Sequence, residues 1–248
     1  MTTADNFTAA GTPAASPGFF NQLIQVLFQP AQGMAPVPQQ GGRYWLALLL
    51  TIVISSAVSW QMFSGMSPEW LVEQQMLQMG NDLSPAEQEQ TRAYLAQSAG
   101  MMPLLSPVFV AIGTLLMAAI LATYLLLTGR VSSNFKFGQW FALVSWSQLP
   151  TVVCMLGTAV LLLLSDTPNV SMNLMNFASV NQLLLGLTPD SPWFALTEAL
   201  SLFVLWQVWV LHAGLISAAG YTAQRATLVV GAPVVLIFGG WALAIALG

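Results

Sequence analysis

Ser145-Trp146-Ser147-Gln148-Leu149-Pro150 is the string in this chain with the most unusual chemistry, because it sets an amide and a proline inside a long apolar run. A proline removes one backbone donor and frees a carbonyl on the preceding turn, and an amide in hydrocarbon needs a partner. A broken helix near a bilayer midplane can mark a transport site. No matching broken segment recurs in an inverted second half. The expected reading of Gln148 and Pro150 is therefore a kink braced by an interhelical hydrogen bond. Gln207 is a second intramembrane amide, in Leu205-Trp206-Gln207.

His212 is the only histidine. A haem or metal site needs further strong ligands, and no paired Cys or His spacing exists, so no cofactor is expected. A proton relay usually has carboxylate company, yet Asp166, Asp190 and Glu198 stand near the opposite span ends, roughly 20 Å away along a helix. His212 is expected to bond across helices or to face headgroups. Cys154 is the single cysteine, which excludes an internal disulfide. No phosphate-cradling glycine loop or Ser/His/Asp triad is present, and an enzyme is not expected.

The elements that position these residues are apolar stretches long enough to cross a bilayer: Tyr44–Phe63, Leu104–Thr128, Gln139–Ser165, Trp193–Ala219 and Thr227–Leu247. Twenty residues of helix reach roughly 30 Å, the thickness of the hydrocarbon core. Only 6% of residues are charged and 56% are hydrophobic, too few charges to cover a soluble domain. Residues 46–54 are apolar on every side, which fits a buried helix and not an alternating barrel strand. The expected fold class is an all-α polytopic bundle of five transmembrane helices with short interfacial helices. Five Lys and Arg residues cannot neutralise a run of phosphates, so no nucleic-acid partner is expected.

Arg43, Arg130, Lys136 and Arg225 fall on one side of such a bundle. Arg92 falls on the other, in a loop that also carries Glu69, Glu73, Asp82, Glu87 and Glu89. Basic residues stay cytoplasmic, which gives N-in and C-out. Val170–Leu187 competes as a further span. Its Asn173, Asn176, Asn181 and Gln182 favour instead a short external helix at the interface or tucked between spans. The first apolar run begins late and lacks a basic leader, which argues against a cleaved signal peptide.

Residues 1–18 read as a disordered tail and 19–43 as a cytoplasmic amphipathic segment. The helical spacing of Phe19–Phe28 ends at Pro30 and fits either a membrane-surface helix or one packed under the bundle. Residues 44–248 form the five-span domain. Its external loop, 64–103, holds a helix from Pro68 to Met79 ended by Gly80-Asn81, and a second begun by Ser84-Pro85-Ala86-Glu87 and running to about Gln97. Gly214-x-x-x-Ala218 and Gly240-x-x-x-Ala244-x-x-x-Gly248 would allow close helix packing, and Pro233 a bend in the last span.

Leu27-Phe28-Gln29-Pro30, Tyr124–Arg130, Phe135-Lys136-Phe137-Gly138-Gln139, Pro150 and Leu205-Trp206-Gln207 with Gly214 follow one another in an order that resembles the prokaryotic branch of the Yip family, the Ypt-interacting membrane proteins. The resemblance runs from about Phe19 to Trp241 and implies an N-in bundle of five helices. Eukaryotic members act in vesicle traffic with Rab-type GTPases. Their cytosolic Asp-Leu-Tyr-Gly-Pro motif has at most a remnant here in Leu27–Pro30, so no Rab-type GTPase partner is expected. The function expected is a non-enzymatic, structural or membrane-organising protein of a bacterial cytoplasmic membrane, in contact with the bilayer and with a membrane-protein partner or further copies of itself. The alternative is a small transporter or lipid-moving protein using a cavity near Gln148 and Pro150.

Overall fold

The computed structural model describes residues 18–79, 83–129 and 133–248. The expected tail through residue 17, the stop at Gly80-Asn81, Asp82 and Arg130 lie outside them. Among the described residues, four helices are long and apolar enough to cross a membrane: Trp45–Gly65, Met102–Gly129, Phe137–Leu164 and Ala223–Leu247.

The chain enters through α1 (Phe19–Phe28) and α2 (Pro30–Met34), then two 3-10 turns lead to α3 (Tyr44–Gly65). The loop helices α4 (Pro68–Met79) and α5 (Pro85–Ala99) precede α6 (Met102–Gly129). The third long helix is two segments, α7 (Phe137–Ser147) and α8 (Leu149–Leu164), jointed at Gln148. After 3-10 and π turns come α9 (Phe194–Ala199) and α10 (Leu202–Ser217). The last long helix runs as α11 (Ala223–Val234), a π turn just past Pro233, and α12 (Gly240–Leu247). The bend expected at Pro233 thus takes the form of a widened helical turn.

Helix α7 is the central post. Every residue from Trp140 to Ser147 is buried, between α3, α6, α10 and the turn at Val37–Gln39. A helix that is apolar all round can be buried all round. Its two serines add no orphan groups, because Ser145 Oγ donates to the Phe141 carbonyl at 2.7 Å and Ser147 Oγ to the Val144 carbonyl at 2.8 Å.

The α1–α2 hairpin packs against the bundle instead of lying apart from it, α2 on α10 and α1 on α8. Gln29 breaks the helix before Pro30, and Trp206 Nε1 donates to the Leu27 carbonyl at 3.1 Å. Gln22, which by pattern belongs to the polar face, is 2% exposed. It donates to the Gly33 carbonyl at 3.2 Å and accepts from Gln40 at 2.7 Å. Outward stand Phe20, Ile24 and Phe28, one residue per helical turn. One face of the helix is packed, and the opposite face is an exposed apolar stripe.

The stretch Trp193–Ala219, expected as one span, is interrupted. Leu200 and Ser201 are extended, and Ser201 forms an antiparallel bridge with Ser179. Val180 N–H reaches the Leu200 carbonyl at 2.7 Å, and Leu202 N–H the Ala178 carbonyl at 3.0 Å. The segment 170–187 supplies the bonds that the broken helix gives up, and the 16 residues of α10 remain as the apolar helix.

At the end of the bundle where α3 gives way to α4, Met62, Met66, Leu71, Val72, Leu95, Ala99 and Val170 form their own apolar cluster. Trp70 Nε1 ties it to the Val170 carbonyl at 3.0 Å. Helix α5 starts as its sequence dictates, with Ser84 Oγ accepting from Glu87 N–H at 3.4 Å and Glu87 Oε2 accepting from Ser84 N–H at 2.9 Å. The Ser84 hydroxyl and backbone bonds hold the Glu87 carboxyl below its ordinary value. Depressed acids stabilise above their usual range, and the contribution is lost as pH falls through the folded value. Ser84→Ala should raise the Glu87 titration toward the ordinary carboxylate value and fray the first turn of α5. Carboxyl chemical shifts against pH would show it, and an unmoved Glu87 would refute the cap.

Candidate functional site

The joint at Gln148 opens onto a cavity of about 530 Å³ walled by α3, α6, the end of α7, α8, α10, α11 and the π turn after it. Pro150 enters the first turn of α8, where its missing N–H costs least, and the Thr151 N–H turns back to the Gln148 carbonyl at 2.9 Å. This places the Gln148 side chain at the wall. Gln207 on α10 donates to the Thr151 hydroxyl, which brings both sequence-marked amides to one side of the cavity.

The polar groups of the wall differ in their state. Thr51 Oγ1 donates to the Ala47 carbonyl at 3.0 Å, and Tyr124 OH donates to the Val229 carbonyl at 2.8 Å. The Ser147 hydroxyl is held inside α7. Gln148 is 8% exposed, and its side chain makes no hydrogen bond among the described residues. The interhelical bond expected of Gln148 is therefore made by its neighbour Thr151 with Gln207. Phe238, Leu121 and Val208 typify the remaining, apolar wall.

His212 and the small residues lie elsewhere. His212 Nε2 stands 3.1 Å from Thr227 Oγ1, a contact between α10 and α11. Gly214 meets the fully buried Met34, whose Cε would lie 2.7 Å from a Cβ built there. Its partner is thus the entry hairpin and not another long helix. Ala218 packs half-buried against the main core. Gly240 has no neighbour within 4 Å of a built Cβ, and Ala244 on the same helix is exposed.

Two polar features escape a reading by composition. Glu198 is 6% exposed and accepts from Asn181 Nδ2 at 2.9 Å and Gln182 Nε2 at 2.5 Å. The same asparagines and glutamines that weaken 170–187 as a span are the ones that fold it onto α9. At the other end, Arg225 Nη2 donates to the Thr128 carbonyl at 3.0 Å and its guanidinium lies 4.8 Å from the Tyr221 ring centroid. A cation at the C-terminus of α6 satisfies a carbonyl and opposes the helix dipole. The signal for it was the basic residue in the short turn before the last span.

The chain is an integral, multi-pass helical membrane protein. A family model described as the Yip1 domain matches residues 24–244. No curated protein and no solved structure matches.

Proposed function

We propose, from the premise that this chain belongs to the Yip1 domain family, that it is a non-enzymatic organiser of a bacterial cytoplasmic membrane, acting through packed helix faces. Its topology in this reading has five crossings, N-in and C-out. The broken segment α9–α10 supplies the fourth, its 16-residue helix lengthened by the residues that flank the extended break. Lys136 and Arg225 stand by the ends of α7 and α6 that meet at Trp140, Tyr221 and Thr128. That gathering favours one cytoplasmic face for both.

The observation that carries the structural reading is the filled post. Trp140, Leu143, Val144 and Trp146 are each fully buried, and most polar groups of the cavity wall (Thr51, Tyr124, Ser147, Thr151 and Gln207) are bonded within the protein instead of forming an open polar path between faces. Helix α12 offers an exposed face with Gly240 and Ala244, suited to close approach by a partner helix or a second copy. A transporter or lipid-moving protein would need that polar path.

Purification from the native membrane in mild detergent, with mass analysis of the intact particle, tests the reading. A stoichiometric protein partner, or a defined oligomer that Gly240→Leu disperses, supports it. A monomer recovered alone overturns it. Gln148→Leu should leave the particle unchanged, whereas a transporter would lose flux.

A further inference from the structure

The cavity beside Gln148 has no part in organising helices, yet it has the attributes of a binding site. Its volume, about 530 Å³, falls within the range of small-molecule pockets. It opens sideways between α6 and α11, where Gly113, Met117 and Ile237 are at once wall residues and exposed. With these helices in a bilayer, what stands outside such a mouth is lipid, not water. The mouth is open at Gly113, where no atom lies within 4 Å of a built Cβ.

The chemistry of the wall narrows the occupant. Among the described residues no Asp, Glu, Lys, Arg or His contributes to it, so an ionised headgroup would enter without a counter-charge. One buried amide, Gln148, and one half-buried hydroxyl, Thr114, make no hydrogen bond among the described residues. A buried polar group without a partner is costly, and a ligand that supplies one relieves the cost.

From these observations we infer that the cavity holds one uncharged lipid of the surrounding bilayer, its hydroxyl or carbonyl bonded to the Gln148 amide and its chain lying between α6 and α11. Binding is lateral and needs no polar path through the protein. It therefore stands or falls independently of the organising role.

The test uses the full chain in native membranes and two photoreactive probes of equal chain length, diazirine-bearing hexadecanol and diazirine-bearing palmitate. Hexadecanol should label peptides containing Met117 and Val234 saturably, with competition by unlabelled hexadecanol. Palmitate should label them at least about tenfold less, because its carboxylate lacks a counter-charge. Gln148→Leu should cut labelling about fivefold, the loss of one hydrogen bond. Gly113→Leu should abolish it by filling the mouth, without lowering the melting temperature, because it improves helix propensity in open space. The second variant keeps the test decisive if the first fails to fold. Labelling that is unsaturable and equally strong at outward residues such as Leu116 and Ile120 would overturn the inference. Equal labelling by palmitate, or labelling undiminished in Gly113→Leu, would do the same.

Discussion

Gly33→Ala is expected to detach the α1–α2 hairpin from the bundle, at a cost of about 3 kcal/mol. A Cβ on Gly33 would lie 2.4 Å from the Val26 backbone nitrogen and 2.7 Å from the Gln25 carbonyl carbon. Backbone atoms cannot rotate aside, so α2 must swing away from α1. That movement would strip the Gln22 bond from the Gly33 carbonyl and withdraw Met34, Val26 and Val37, all at most 1% exposed. The readout is maleimide labelling of a thiol at Val37→Cys, which is clean because the native chain has one cysteine, Cys154, itself buried. The thiol should be protected in the parent and react at least about tenfold faster with Gly33→Ala, as local opening becomes frequent. Unchanged protection and melting would show that the hairpin is not braced at this contact. Gly214→Ala is the matched control. Its Cβ would press on Met34 at 2.7 Å, but on the terminal Cε of a flexible side chain, which can turn away.

The contrast between those two glycines shows what the sequence could and could not carry. Apolar length alone located all four long helices to within a few residues, and Ser84-Pro85-Ala86-Glu87 located the start of α5. Both signals are local: a hydrophobic run is set by solvent, and a capping box by neighbours three residues apart. The kink near Pro150 was legible for the same reason. The cavity beside it was not, because it is made by six helices from remote parts of the chain. The break at Leu200–Ser201 was equally hidden. Leu196 to Val204 reads as ordinary membrane helix, and only the pairing of Ser179 with Ser201 makes the extended backbone satisfiable. The helical pattern puts Gln22 on the polar face, while the long-range bonds to Gly33 and Gln40 decide its burial. Gly240 and Gly214 share one sequence motif and have opposite surroundings, an open face and a pressed methionine. Small-residue spacing states what a helix permits. The fold decides what it receives.

Trp140→Ala should be among the most damaging single changes in the chain, about 3–5 kcal/mol, and its cost should be coupled to Gly129. The indole is fully buried at the joint between the end of α6 and the start of α7. It packs on Phe135 with ring centroids 5.2 Å apart and on Tyr221 at 6.2 Å. Gly129 makes room for it: a Cβ there would stand 2.4 Å from Trp140 Cζ2. Unlike Met34, an enclosed indole has no flexible end to yield, so Gly129→Ala alone should cost about 1–3 kcal/mol through overpacking. Trp140→Phe removes the part of the ring that meets Gly129. The double variant Gly129→Ala, Trp140→Phe should therefore be more stable than the sum of its parts by about 1 kcal/mol or more. Circular-dichroism unfolding of the four proteins in one detergent gives the coupling. Strict additivity would mean that the two helix ends do not bear on each other. Positive coupling identifies this joint as the point where α6 is fixed to α7. The Arg225 bond to Thr128 and the spacing of α6 from α8 across the cavity then depend on it. Gly129→Ala should on that account also weaken hexadecanol labelling at Met117, although Gly129 is not part of the cavity wall.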